Sequence, residues 1–246
     1  MAETDARDRL LYEAAITKHL AARAIALDFL EEQLCRLADE TDLDLVGDTR
    51  PAAVWQMSGR CIGIARLMID ALGMGYTAEL SHLARALHEA DRLLAVFEFP
   101  SEAPLLRKWL ADDGHKWVRP KEARKAFVRI EKLIHETAAQ QGAEAIQSTE
   151  ELNVEIYDQH SRAAHHRRGW VQDAVFPDER TMIRGISDAW VRRAITTHSM
   201  VKVIDESIIF VGSALANFFG QGWFTKNIAP LLASFDELHK IYVLPE

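Results

Sequence analysis

ITKHLAARAIALDFLEEQLCRL, residues 16–37, is the stretch that decides the fold. Ile16, Leu20, Leu27, Leu30, Leu34 and Leu37 recur at alternating three- and four-residue steps, which gathers them on one side of an α-helix. One position of the series holds Arg23 instead of an apolar residue. The pattern continues outward to about Ala6 and Glu40, a helix of about 50 Å at 1.5 Å per residue. Such a seam has two readings. Either the helix packs across a bundle of its own chain, or it pairs with the same helix of a second copy and makes a homodimer.

Helical spacing dominates the rest of the chain, and no run of alternating apolar and polar β-branched residues marks a strand. Clusters of Pro, Gly and Asp interrupt it at DLVGDTRP, LGMGY, EFPSEAP, ADDGHKWVRP, QGAEAIQS, VFPDER and FGQGW. The segments between them have helical length, so the expectation is one all-α domain over residues 1–246, a multi-helix bundle of about seven to nine helices. A chain of 246 residues can bury a sizeable core without disulfides or metals. Its 48% hydrophobic and 27% charged residues are globular proportions, not those of a disordered chain.

The net charge of -8 repels polyanions, so a nucleic-acid ligand would need a local basic patch. Cys35 and Cys61 have no CxxC spacing and read as packed, inert thiols in a reducing compartment. The start, MAETDARDRLL, lacks the basic and apolar regions of a secretion signal. The longest apolar run, Ser207 to Phe219, is about 13 residues, short of the roughly 20 that span a bilayer. These features predict a cytoplasmic protein with no membrane partner.

The basic patch is HSRAAHHRR, residues 160–168, within a segment that reads as a helix from about Thr149 to Val175. At 100° per residue, Arg162 and His166 fall on a polar face with Glu155, Asp158 and Asp173. His160 and Arg167 instead project among Ile156, Ala163, Ala164, Trp170, Val171 and Ala174. A buried arginine keeps its charge and needs an acidic partner. Tyr157, Ser161, His165 and Arg168 line the edge of that face. They suit either an anion-binding, acid/base site or a hydrogen-bonded seam between helices.

Two other segments could face this patch. In the helix from about Pro51 to Leu72, Val54, Cys61, Ala65, Met68 and Leu72 form an apolar face, and Gly59, Gly63, Arg66 and Asp70 form another stripe. Helical glycines of this kind commonly permit close approach of a backbone or ligand. Arg66 and Asp70 either pair with each other or form the second wall of a polar pocket. In the helix from about Thr77 to Phe97, Glu79 and His82 make half of a di-iron signature, with a degenerate copy at Asp236 and His239. No further pair of glutamates completes it, so no metal or other cofactor is expected. Glu79 or Asp91 is read instead as the buried counter-ion of Arg167 or His160.

GxGxxG, GxxxxGK[ST], GxSxG and HExxH are all missing from the sequence, which removes the corresponding nucleotide, hydrolase and zinc-protease classes. Arg followed after four to six residues by His, the signature of HEPN ribonucleases, occurs at Arg129/His135, Arg192/His198 and Arg193/His198. Chance supplies about two such matches in a chain of this composition, so the motif decides nothing.

Tyr157-x3-Ser161-x3-His165, preceded by a helix with Arg60 and Arg66 and by the run ELSHLARALHEADRLLAVF, resembles a group of uncharacterised all-helical bacterial proteins. Some of these are similar to abortive-infection and HEPN-like defence components. The likeness spans about Gly59 to Val175. It implies a helical bundle with a polar centre, with action on RNA or a role in phage defence.

The candidate centre is therefore a pocket lined by Tyr157, His160, Ser161, His165, Arg167 and Arg168, and closed by Arg66, Asp70 and Glu79. As an enzyme site, His160 or His165 would be the general acid/base, Arg167 and Arg168 would hold a phosphoryl oxyanion of RNA or another phosphate-bearing ligand, and Tyr157 would orient it. As a scaffold, the same residues would fix helix register. The absence of any motif with specific chemistry favours the scaffold.

Overall fold

A computed structural model describes residues 2–42, 44–45, 47–76, 80–111, 118–140 and 190–241. Among these residues the chain is helical and forms no strand. Helix α1 spans Ala2–Glu40, α2 Arg50–Gly73 and α3 Leu80–Glu98. A 3-10 turn at Pro100–Glu102 leads into α4, Ala103–Leu110, followed by α5, Pro120–Gln140. The C-terminal part holds α6, Trp190–Phe219, α7, Gln221–Asn227, and α8, Ala229–Ile241.

The seam on α1 does what its spacing requires. Ile16, Leu20, Leu27, Leu30, Leu34 and Leu37 are all buried, and α1 packs on α2, α6 and α8 of its own chain. A fully buried leucine contributes roughly 1.5–3 kcal/mol, so the stripe is a principal source of cohesion. The face offered by the heptad spacing is thus covered within the chain.

Helix starts and stops follow the punctuation. Thr49 has an extended backbone, and its hydroxyl oxygen accepts from Ala52 N at 3.2 Å, capping α2 just before Pro51. Gly75, with φ of 85°, turns the chain after α2. Gly220, with φ of 94°, separates the long α6 from α7. The expected breaks QGAEAIQS and VFPDER, and the expected helix around HSRAAHHRR, lie outside the described residues.

Helix α6 runs through the middle and contacts α1, α2, α3 and α7. Its Ile204, Ile208, Val211 and Leu215 are buried against Leu87 and Leu94 of α3 and the apolar face of α2. Helix α5 packs on α3, and its Phe127 meets Phe210 of α6 edge-on at 6.0 Å. Phe29 of α1, Trp223 of α7 and Phe219 of α6 stack at 6.0 and 5.4 Å, closing the end near Gly220. The Trp55 indole donates to the Leu34 carbonyl at 3.0 Å and ties the start of α2 to α1.

The two cysteines part company. Cys61 is buried on α2 as expected, whereas Cys35 is exposed, because it stands one 100° step off the buried Leu34. No helix among the described residues is long and apolar enough to cross a membrane.

Leu30→Ala and Leu94→Ala, both at fully buried positions, are expected to cost about 2–5 kcal/mol each in urea unfolding. Exposed Glu32→Ala is expected to stay within about 0.5 kcal/mol. A leucine variant as stable as the parent would show that its site is not tightly packed.

Candidate functional site

The interior carries charge as well as apolar packing. Arg23 has no solvent exposure. Its Nε and Nη2 donate to Oδ1 and Oδ2 of Asp205 on α6 at 2.8 and 2.7 Å, a two-pronged pair between residues 182 positions apart. Its Nη1 lies 3.1 Å from Nδ1 of His19, one turn earlier on α1. A guanidinium only donates, so His19 Nδ1 is the acceptor and the ring proton of a neutral imidazole sits on Nε2. The guanidinium also lies 4.1 Å from the centre of the Phe235 ring on α8. One side chain thus joins α1, α6 and α8.

Beyond Asp205 the next two residues of α6 turn to α3. The Ser207 hydroxyl donates to Asp91 Oδ1 at 2.8 Å, both groups being buried. Among the described residues Asp91 Oδ2 has no hydrogen-bond partner. Burial raises the Asp91 carboxyl to about 7, against the opposing effect of the Ser207 and Cys61 hydrogen bonds, while Glu206 raises it further and Arg92 lowers it. Burial, and then the Asp91 carboxyl, push the Cys61 thiol well above its ordinary value. A thiol held protonated is a poor nucleophile. Glu206 is also raised to about 7, first by burial and then by Asp205 beside it. Its Oε2 stands 3.9 Å from His88 Nδ1.

These groups form a polar belt across α1, α2, α3 and α6, with Arg23, His88, Asp91, Arg92, Cys61 and Ser207 all buried. Little of it is open to a substrate: Ser207 and Asp91 are about as enclosed as the leucines around them. Its chemistry is that of helix registration. No group of three or more His, Cys, Asp or Glu among the described residues is arranged to hold a metal ion. His82 and Asp236, from the two partial di-iron signatures, are exposed.

Tyr157, His160, Ser161, His165, Arg167, Arg168 and Glu79 lie outside the described residues. Arg66 and Asp70 lie within them and do not serve each other. Arg66 bridges to α1, its Nη2 lying 2.6 Å from Asp28 and 2.5 Å from Glu31. Asp70 instead borders an open groove of about 810 Å³ between α1 and α2. Ile16, Leu20, Ala24 and Ile69 make the groove apolar, and Glu13 and Asp70 make it acidic. Gly59 and Gly63 face open space, so no part of the described chain makes the close approach that helical glycines suggested. Asp91, read from sequence as a counter-ion for Arg167 or His160, accepts from the Ser207 hydroxyl among the described residues.

No family model, curated protein or solved structure matches the chain.

The sequence reading missed the belt because its halves are distant in the chain. The signal was present at both ends: a basic residue inside the α1 seam, and Asp205-Glu206-Ser207 interrupting an apolar run. Nothing in a single sequence pairs the two.

The raised carboxyl of Asp91 fixes a pH dependence. A carboxyl whose folded value lies above its unfolded one binds its proton more tightly when folded. Its contribution is therefore fully present below about pH 4 and is lost as the pH rises through about 7. A shift of this size corresponds to roughly 4 kcal/mol. Asp91→Asn should remove this component, so that stability falls less steeply from pH 4 to 8 in the variant than in the parent. Equal slopes in urea titrations across that range would contradict an uncharged buried Asp91.

Proposed function

We propose that this chain is a non-catalytic binding or scaffold protein of the bacterial cytoplasm, acting as a homodimer in the defence setting that the resemblance implies. One observation carries the reading: among the described residues, Arg23, Ser207 and Asp91 bond to side chains of neighbouring helices and not toward solvent. Arg23 has its bonds in Asp205 and His19, and Ser207 has its bond in Asp91. Cys61 and Ser207, the belt's two nucleophile types, are respectively a protonated thiol and a hydroxyl without an adjacent histidine base among its hydrogen bonds. Among the described residues, α1 and α2 border an apolar groove edged by carboxylates, which suits a protein surface and repels phosphate.

The competing reading is a phosphate-directed enzyme using His160, His165, Tyr157, Arg167 and Arg168. The two are separated by ribonuclease and phosphodiesterase assays on the full chain, run beside His160→Ala and His165→Ala. The scaffold reading expects no turnover above buffer in any of the three. Cleavage by the parent that both variants lose, with their helical circular dichroism intact, would overturn it.

A further inference from the structure

Helix α1 carries a second seam, outside the buried one. Ala14, Lys18, Ala21 and Ile25 repeat at steps of four, three and four residues, and all four are exposed. Ile25 is 65% exposed, a large apolar surface for a residue in mid-helix. Helix α2 shows an outward stripe of the same kind: Gly63, Leu67, Asp70 and Met74 at steps of four, three and four. All are exposed, Leu67 to 54% and Met74 to 62%.

Set antiparallel, the two stripes fit position by position. With Lys18 opposite Asp70, Ala14 faces Met74, Ala21 faces Leu67 and Ile25 faces Gly63. Each bulky side chain meets a small one, and the cation meets a carboxylate. At Gly63 an added Cβ would touch nothing among the described residues, which leaves room for Ile25. Within one chain, Ala21, Asp70 and Met74 border the shared groove between α1 and α2, while Ala14, Lys18, Ile25, Gly63 and Leu67 do not line it.

We propose that the partner is a second copy of this chain, docked so that the α1–α2 pair of each copy joins that of the other in a four-helix bundle. The in-chain pair runs antiparallel, with Trp55 bonded to Leu34 and, further along α2, Arg66 bonded to Asp28 and Glu31. A two-fold axis along the helices preserves these heights. It therefore brings the α2 stripe of one copy to the α1 stripe of the other in nearly the register that the residue pairs require, and every neighbouring pair of helices is antiparallel. The α1 seam and the α2 stripe are present on the same molecule, so one surface is complementary to itself. The proposal gives the self-association of the scaffold reading a definite surface, and it holds whatever chemistry residues 157–168 carry.

The test is light scattering and sedimentation of the full chain with a charge exchange. The parent should have twice the mass of one chain. Lys18→Glu and Asp70→Lys should each weaken the dimer at least about tenfold, and the two together should restore it. Ile25→Arg should give a monomer with unchanged helical circular dichroism. A parent that is monomeric at every concentration overturns self-association itself. A dimer that withstands the single charge changes and Ile25→Arg overturns this surface while leaving self-association standing.

Discussion

The bond between Arg23 and Asp205 is the constraint around which the rest of the bundle is arranged. A guanidinium cannot lose its charge, and taking it out of water without a partner costs several kcal/mol. Arg23 is fully enclosed, so the only low-energy positions of α1 are those that present Asp205 to it. Apolar seams tolerate sliding by a turn, because one leucine replaces another. A two-pronged guanidinium–carboxylate pair does not, since its two bonds at 2.8 and 2.7 Å fix both the height and the rotation of α1 on α6. Phe235 over the guanidinium and His19 beside it extend the same constraint to α8.

Once α6 is set, its next residues are set too. Asp205 faces α1, and Ser207, two residues on, holds Asp91 of α3. Glu206 between them approaches His88 of α3. Three consecutive polar residues of α6 therefore address two neighbouring helices. In this belt the Cys61 thiol is held protonated, the Asp91 carboxyl carries a raised affinity for protons, and the Ser207 hydroxyl is already donating. The open groove lies between α1 and α2, whose outer faces also carry the exposed Ile25, Leu67 and Met74.

Much of the fold was legible in the sequence because it rests on local periodicity. The α1 seam, the apolar face of α2 and the stops at Gly75 and Gly220 all follow from residues a few positions apart. Arg23 was visible as an interruption of that seam, but not as its organising residue, since its meaning depends on Asp205, 182 positions away. Arg66 and Asp70 misled in a similar way: four residues apart on one helix, they looked like each other's partners, yet Asp28 and Glu31 of α1 lie within reach of Arg66 and leave Asp70 to the groove. The cluster at HSRAAHHRR lies outside the described residues, and its reading still rests on helical spacing alone.

The most direct measurement of the account is a double-mutant cycle on Arg23→Met and Asp205→Asn, read by urea unfolding of both single variants and the double. The account predicts a coupling of about 2 kcal/mol or more, with the double variant less damaged than the sum of the singles. Additive losses, with coupling within about 0.5 kcal/mol, would mean that apolar packing alone positions α1 and that the buried pair is incidental.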